Sequence, residues 1–428
     1  MKCVCCFFDS KNQSILKRNT FGIERFENKL ENYKITYLHE LNSLVPVDQC
    51  KCGYVTIDPV FLTWTNVFLE NIKANISVIE STFDMLIKVY YDHIVSSQKN
   101  SMDAMWQFIM ENNLATGSES PISYNQLLFR GRINDGKFNT HDPKEYFHIP
   151  FNKRYCIGNQ RFSISGQPVL YLGKSVLGIE KELGKQYKDL VLAAFLPKYY
   201  IYYYKKIFEL KNTIFDILVK VLPGLFAVGG KLDYFDTHYS PNINTIKNDI
   251  QRSILAEVLT FPVENKCTFV EEYVLPQILT SILMNNNYNG IVFPSTKDYS
   301  NLSNSHLFSD FNLNTALFVS YDKSSNYDQN LENTFFVLTT DGSEKFNLKP
   351  ADILAQMEKV FVKNRTSSHN NNNNNNNDFI LPLVNTKLHM EYLEKATLNG
   401  KPYFETNEGK LELEFYLKLV SLMNEYVK

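Results

Sequence analysis

The chain has no apolar run long enough to cross a bilayer, so no membrane-spanning helix is expected. No secretory leader is expected either. The opening Met1-Lys2-Cys3-Val4-Cys5-Cys6-Phe7-Phe8 is short, and Asp9 breaks it. There is no excess of either charge: 44 Lys and Arg stand against 46 Asp and Glu, a net of −2. Nothing electrostatic therefore points to nucleic acid or an anionic membrane as partner. An anionic ligand would have to meet a local group of arginines or backbone N–H groups. Cysteines number seven, an odd count that, without a leader, argues against a disulfide framework. The expectation is a cytoplasmic protein with reduced thiols. No internal repeat, zinc-protease signature or deaminase signature is present. The segment Gly224–Lys231 looks faintly like a phosphate-binding loop, but its Lys is displaced by one residue and Leu232 stands where a magnesium-holding Ser or Thr is needed.

What is there divides along the chain. The 428 residues allow two or three domains. Five of the cysteines fall within the first 52 residues, marking a small unit over residues 1–53. Cys3 and Cys6 have the spacing of a zinc half-site, and Cys50 and Cys52 offer two further thiolates; four would staple that unit around one zinc ion. Asp58-Pro59 reads as an N-cap and first helical residue. Apolar residues from Leu62 to Ile94, spaced mostly by three and four, then describe one long helix or two in series. A shorter helix carries Met105, Trp106 and Ile109, closing a helical region over residues 54–115.

After the linker at residues 116–121 the texture changes to short strands: Leu127–Phe129, Phe162–Ile164 and Val169–Leu172. Helical patterns return at Lys174–Leu183 and over about Leu196–Leu222. The Tyr-rich run 199–204 reads as a mixed core and surface face rather than a base-stacking platform. A helix starts near Pro276, Gly290–Thr296 reads as a strand that ends in a loop, and residues 298–312 read as a surface loop. The uninterrupted Asn370–Asn377 tract has no apolar side chains to bury and reads as a disordered insert in a C-terminal extension, residues 346–428, which ends in an amphipathic helix over Leu411–Val427.

One order of motifs carries chemistry. Arg130-Gly131-Arg132 ends a strand, and residues 147–173 follow, from Phe147-His148-Ile149-Pro150 through Arg161-Phe162-Ser163 to Leu170-Tyr171-Leu172-Gly173. A Glu-bearing helix and later Phe293-Pro294-Ser295-Thr296 complete it. This order resembles the RES family, named for Arg, Glu and Ser. The resemblance spans about residues 127–336 and is strongest over 147–173. It implies an α+β fold of the ADP-ribosyltransferase type over residues 116–345, with small twisted sheets, flanking helices and a helical region ahead of it. It also implies an enzyme that breaks the nicotinamide–ribose bond of NAD, with water or phosphate as acceptor, as toxin-like members of the family do.

The residues implied are Arg130 for the pyrophosphate, with Arg132 assisting, Tyr171 against nicotinamide or ribose, a Glu to stabilise the ribosyl cation, and Ser295 for a substrate oxygen. Bidentate Arg suits pyrophosphate, an aromatic wall suits the ring, and a carboxylate suits an oxocarbenium-like carbon. Glu180 and Glu182 both stand on the helix, about 200° apart, so only one faces a given cleft. The family's interval of about eleven positions from the Tyr, and its Glu-Leu-Gly ending, favour Glu182. Longer members of the family also begin with a similar Cys-x-x-Cys-Phe. His148 reads as a core or turn residue, and Arg161 as a structural pairing. The segment after Asn312 diverges from the family, and no role is transferred to it. An ADP-ribosyltransferase acting on a macromolecule and a non-enzymatic interaction module remain as the other readings. Neither a protein inhibitor nor an oligomeric state is legible.

Overall fold

The computed structural model describes residues 2–8, 25–52, 59–115, 127–137, 139–198, 206–210, 243–263, 268–297, 302, 312–340, 348–368 and 380–426. The fold is α+β, with helices first and one large sheet after them. The residues pack into two compact units that interleave along the chain. The first is Met1–Glu119, Asn159–Ser165 and Phe208–Asn287; the second is Ser120–Gly158, Gly166–Ile207 and Tyr288–Lys428. Asp58, the linker at 116–121, the Tyr-rich run, the segment 224–231 and the Asn tract lie outside the described residues.

The first unit holds helices α1 (Val4–Phe8), α2 (Phe26–Asn42), α3 (Pro59–Ala74), α4 (Ile76–Val95), α5 (Gln98–Glu111), α7 (Ile243–Leu259) and α8 (Val274–Asn285). The periodic stretch read from Leu62 to Ile94 is thus two helices in series, parted at Asn75. The apolar stripe of α4 meets α2 and Phe261, just past the end of α7, in an aromatic core of Phe26, Tyr33, Tyr37, Phe83 and Phe261, with rings edge to face. Arg161 sits in this unit. Its Nη1 and Nη2 donate to the carbonyls of Leu259 and Phe261, at 3.1 and 2.7 Å, and its guanidinium lies over Tyr273. Satisfying the carbonyls at the end of α7 is a structural duty.

The second unit is built on a sheet of order β4-β5-β6-β2-β1-β3-β7. Its strands are β1 (Leu128–Ile133), β2 (Val169–Gly173), β3 (Leu190–Pro197), β5 (Gly290–Pro294), β6 (Leu313–Phe318) and β7 (Phe335–Thr340), and of the edge strand β4 (Ile207–Glu209) it holds Ile207. β1 pairs antiparallel with β2 and β3, β2 with β6, β3 with β7 and β5 with β6. One face buries Leu128, Leu170, Leu172, Ala193 and Phe195 beneath Tyr146 and Phe147. The other buries Phe129, Leu192 and Ala194 beneath four helices: α6 (Val176–Leu183), α10 (Pro350–Ser368), α11 (Ile380–Leu393) and α12 (Asn407–Tyr426). A single turn, α9 (Gln329–Glu332), precedes β7.

Two local expectations are corrected. Leu196 is not the start of a helix: it lies in β3, and Ile207–Glu209 is a strand. Both segments are apolar and short, and pairing with a neighbouring strand overrode the helical spacing. Phe162–Ile164 forms no ladder; only Gln160 and Ser163 make an isolated bridge, and Phe162 is a buried plug.

Candidate functional site

The site is built where α6 lies on the sheet. Ser175 starts that helix, its Oγ accepting the Gly178 N–H at 2.9 Å, and Gly184 ends it in the left-handed conformation, φ 63°. The helix comes close because two strand positions lack a Cβ. A Cβ on Gly131 would stand 2.4 Å from Ile179, and one on Gly173 2.9 Å from it. Ile179 is thereby seated between β1 and β2, and the roll of the helix is set. Glu182, about one turn on, turns to β6 and the end of β5. Glu180 turns the other way.

Glu182 is held by two neutral donors. Ser295 Oγ donates to its Oε1 at 2.5 Å, and Asn314 Nδ2 donates to the same oxygen at 2.8 Å. Among the described residues Oε2 has no hydrogen-bond partner, so one oxygen is fixed and the other is available. The register explains the gathering. Gly173 pairs with Asn314, and Asn314 with Phe293, so the three share one face of the sheet. Ser295 lies two residues beyond Phe293, with its N–H on Asn312 at 2.7 Å. Tyr171 lies two residues before Gly173 on that face, half-buried, its ring edge to face with Phe293 at 6.4 Å.

Glu180 is differently placed. Its Oε1 accepts the Tyr187 N–H, and its carboxyl meets Glu408. Burial and the neighbouring Glu408 push it up to about 7.

Arg130 belongs to the opposite face, in register with Ala193. β1 pairs with β3 along its length but with β2 only at Phe129–Gly173. Past that point Arg130 Nη1 reaches β2 and donates to the Tyr171 carbonyl at 2.8 Å. Its buried Nε has no partner among the described residues. Burial, with the neighbouring Arg132 guanidinium, pushes Arg130 down to about 9. Arg132 Nη2 donates to the Phe147 carbonyl at 2.8 Å. Glu145 acts electrostatically on Arg132, whereas no carboxylate is among the causes that shift Arg130; a largely desolvated guanidinium of that kind is costly unless an anion meets it.

The sequence-based reading thus named Glu182, Ser295 and Tyr171, which the fold brings to one face, and the two arginines, which start from the other. It missed Asn314. The available signal was a polar residue inside the apolar run Leu313–Phe318, fully paired on both sides. His148 is a core residue: it is buried, its Nε2 accepts the Asp328 N–H at 3.0 Å, and its Nδ1 lies 2.8 Å from the Ile149 carbonyl.

A second cluster lies in the first unit. The Sγ atoms of Cys3, Cys6, Cys50 and Cys52 all lie within 4.8 Å of one another and could hold a metal ion. Cys3 and Cys52 are 3.6 Å apart, and Cys6 and Cys50 3.8 Å. Tetrahedral zinc at about 2.3 Å from each sulfur requires sulfur–sulfur edges of about 3.8 Å, so the donor set fits that ion. Backbone contacts set the approach: Val45 N–H bonds the Lys2 carbonyl at 3.0 Å, bringing the first cysteine pair beside the turn Val47–Gln49 that leads to Cys50. Hydrogen bonds from Cys5 and Cys6 hold Cys3 far below the ordinary thiol value. The Cys3 thiolate, with burial, in turn pushes Cys5 and Cys6 up. Among the described residues no helix is long and apolar enough to cross a membrane.

No protein-family model and no solved structure matches this chain. Among curated proteins it is similar to one named "Putative toxin YopC" from Bacillus subtilis (strain 168), with 31% identity over 175 residues. That stretch is 40% of this chain and 36% of the other, so the likeness spans about a third of the relative's length.

Proposed function

We propose that the protein cleaves NAD at the nicotinamide–ribose bond, and that it acts as a toxin by exhausting NAD. The observation that carries the reading is the Glu182 carboxylate, fixed through one oxygen by Ser295 and Asn314 on the face that bears Tyr171. In the reaction the bond from the ribose carbon to nitrogen breaks, and its electron pair leaves with neutral nicotinamide. The free oxygen of Glu182 stabilises the cationic carbon through the transition state. An oxygen of water or phosphate then bonds to that carbon; when it is water, its proton passes to solvent. Tyr171 orients the nicotinamide riboside, Ser295 bonds a ribose oxygen, and Arg130 with Arg132 neutralises the pyrophosphate. The half-buried Arg130, whose Nε is buried without a partner among the described residues and whose guanidinium is pushed down to about 9, supports the last role. The likeness to a protein named as a toxin supports the biological reading.

The four cysteines are proposed to hold a structural zinc ion, which would staple the N-terminal segments and supply no chemistry to the reaction.

The test is nicotinamide release from NAD by the purified protein, with and without phosphate. Free ADP-ribose or its 1-phosphate supports the reading and names the acceptor. Label transferred from NAD to protein or nucleic acid supports instead an ADP-ribosyltransferase. No release under either condition removes the enzymatic reading and leaves an interaction module.

A further inference from the structure

The helix that presents Glu182 is held from the far end of the chain. The first-turn N–H groups of a helix have no partner within it. Ser175 serves Gly178, but the Val176 N–H goes to Oε1 of Glu412 on α12, at 2.7 Å and 236 positions away. Glu412 is fully buried in the apolar cluster that packs α12 on the sheet. Its carboxylate also accepts from Tyr403 Oη at 2.8 Å and Tyr416 Oη at 3.5 Å. Burying a carboxylate there is expensive, and an apolar residue would pack the cluster at lower cost. One turn earlier on α12, Glu408 meets Glu180, on the flank of α6 turned away from Glu182. α12 therefore grips α6 at its start and along its back.

We propose that Glu412 is a positioning residue for the site: by capping Val176 it fixes the axis of α6 and so the aim of Glu182 at Ser295 and Asn314. The catalytic part of this inference rests on Glu182 being the site carboxylate; the cap itself does not. The C-terminal extension is then a working part of the site, acting through the helix it holds.

The full-length variants Glu412→Ala, Glu412→Gln and Tyr416→Phe are compared by amide hydrogen exchange over residues 176–183 and by kcat and KM for nicotinamide release. Glu412→Ala raises exchange in α6 roughly tenfold and lowers kcat by a similar factor with KM little changed. Glu412→Gln, which keeps an acceptor for Val176, restores both. Tyr416→Phe removes a buried hydrogen bond but leaves the cap, and changes neither. The proposal is overturned if Glu412→Ala leaves α6 as protected as in the unaltered protein, or if Tyr416→Phe matches its losses. Should Glu412→Ala fail to fold, Glu412→Asp replaces it: its shorter side chain cannot reach Val176, and a still-protected α6 overturns the proposal. If the unaltered protein releases no nicotinamide, the reading of Glu182 fails, while exchange in α6 still decides the cap.

Discussion

Two carboxylates on one short helix have opposite surroundings, and the proposed reaction gives them different work. Glu182 meets two neutral donors and has one free oxygen; Glu180 meets another carboxyl and a backbone N–H. Glu182→Ala is expected to lower kcat for nicotinamide release by about 10²–10³, the scale of losing one preorganised electrostatic group, while Glu180→Ala keeps most of it. The reverse pattern would assign the chemistry to Glu180. Glu180 and Glu412 are both pushed up to about 7, mainly by burial. A carboxyl whose folded value is raised stabilises the fold fully below its unfolded value, 4.5 here, and that stability is lost as pH rises through about 7. The thermal midpoint should accordingly fall between pH 5 and 8, and Glu412→Gln should flatten the fall; an unchanged slope in that variant would show that the proton is lost elsewhere. At this scale the family resemblance pointed to Glu182, by its interval from Tyr171, and to Ser295, after the late strand, and the fold brings these two side chains together. The resemblance did not point to Asn314, because its importance comes only from the strand beside it.

At the scale of elements, α6 depends on what two glycines omit. Gly131→Ala would force a methyl group to within 2.4 Å of Ile179, and such overpacking costs about 1–3 kcal/mol. Equilibrium denaturation should show that loss, together with reduced nicotinamide release. Ile179→Ala in the same chain should recover part of both, since the two changes share one space. Additive losses would mean that the seat of α6 is elsewhere. Periodicity located α3, α4, α6 and α12 well, because each has a continuous apolar stripe against a core. It failed at Leu196 and at Ile207–Glu209, where short apolar runs carry no distinguishing period and strand pairing decides.

Across the molecule, stability is shared between distant segments. Phe129 of β1 and Phe415 of α12 stack edge to face at 5.6 Å within one cluster, and Leu413 is fully buried there. Leu413→Ala should cost about 2–5 kcal/mol in denaturant unfolding, and removing residues 346–428 should leave the sheet unable to fold, seen as loss of soluble protein. A soluble, active truncated chain would contradict this packing. Elemental analysis of the purified protein should find one zinc per chain, lost in Cys50→Ser together with thermal stability. A metal-free protein of unchanged stability would leave the four thiols with no ion to hold.

The sequence by itself determined the types of most elements and the cysteine spacing of the N-terminal cluster, and its resemblance to a known family pointed to Glu182, Ser295 and Tyr171. Local spacing and composition suffice for the elements and the cysteine cluster, because helix stripes, strand runs and metal-ligand intervals are short-range properties; the site residues came from the resemblance. Only the tertiary structure decided which carboxylate faces Ser295, that Asn314 joins it, and that Glu412 caps the helix beneath them. These depend on strand register, on the seat of Ile179 between two glycines, and on contacts between residues more than a hundred positions apart. Such contacts leave no mark in the spacing of neighbouring residues.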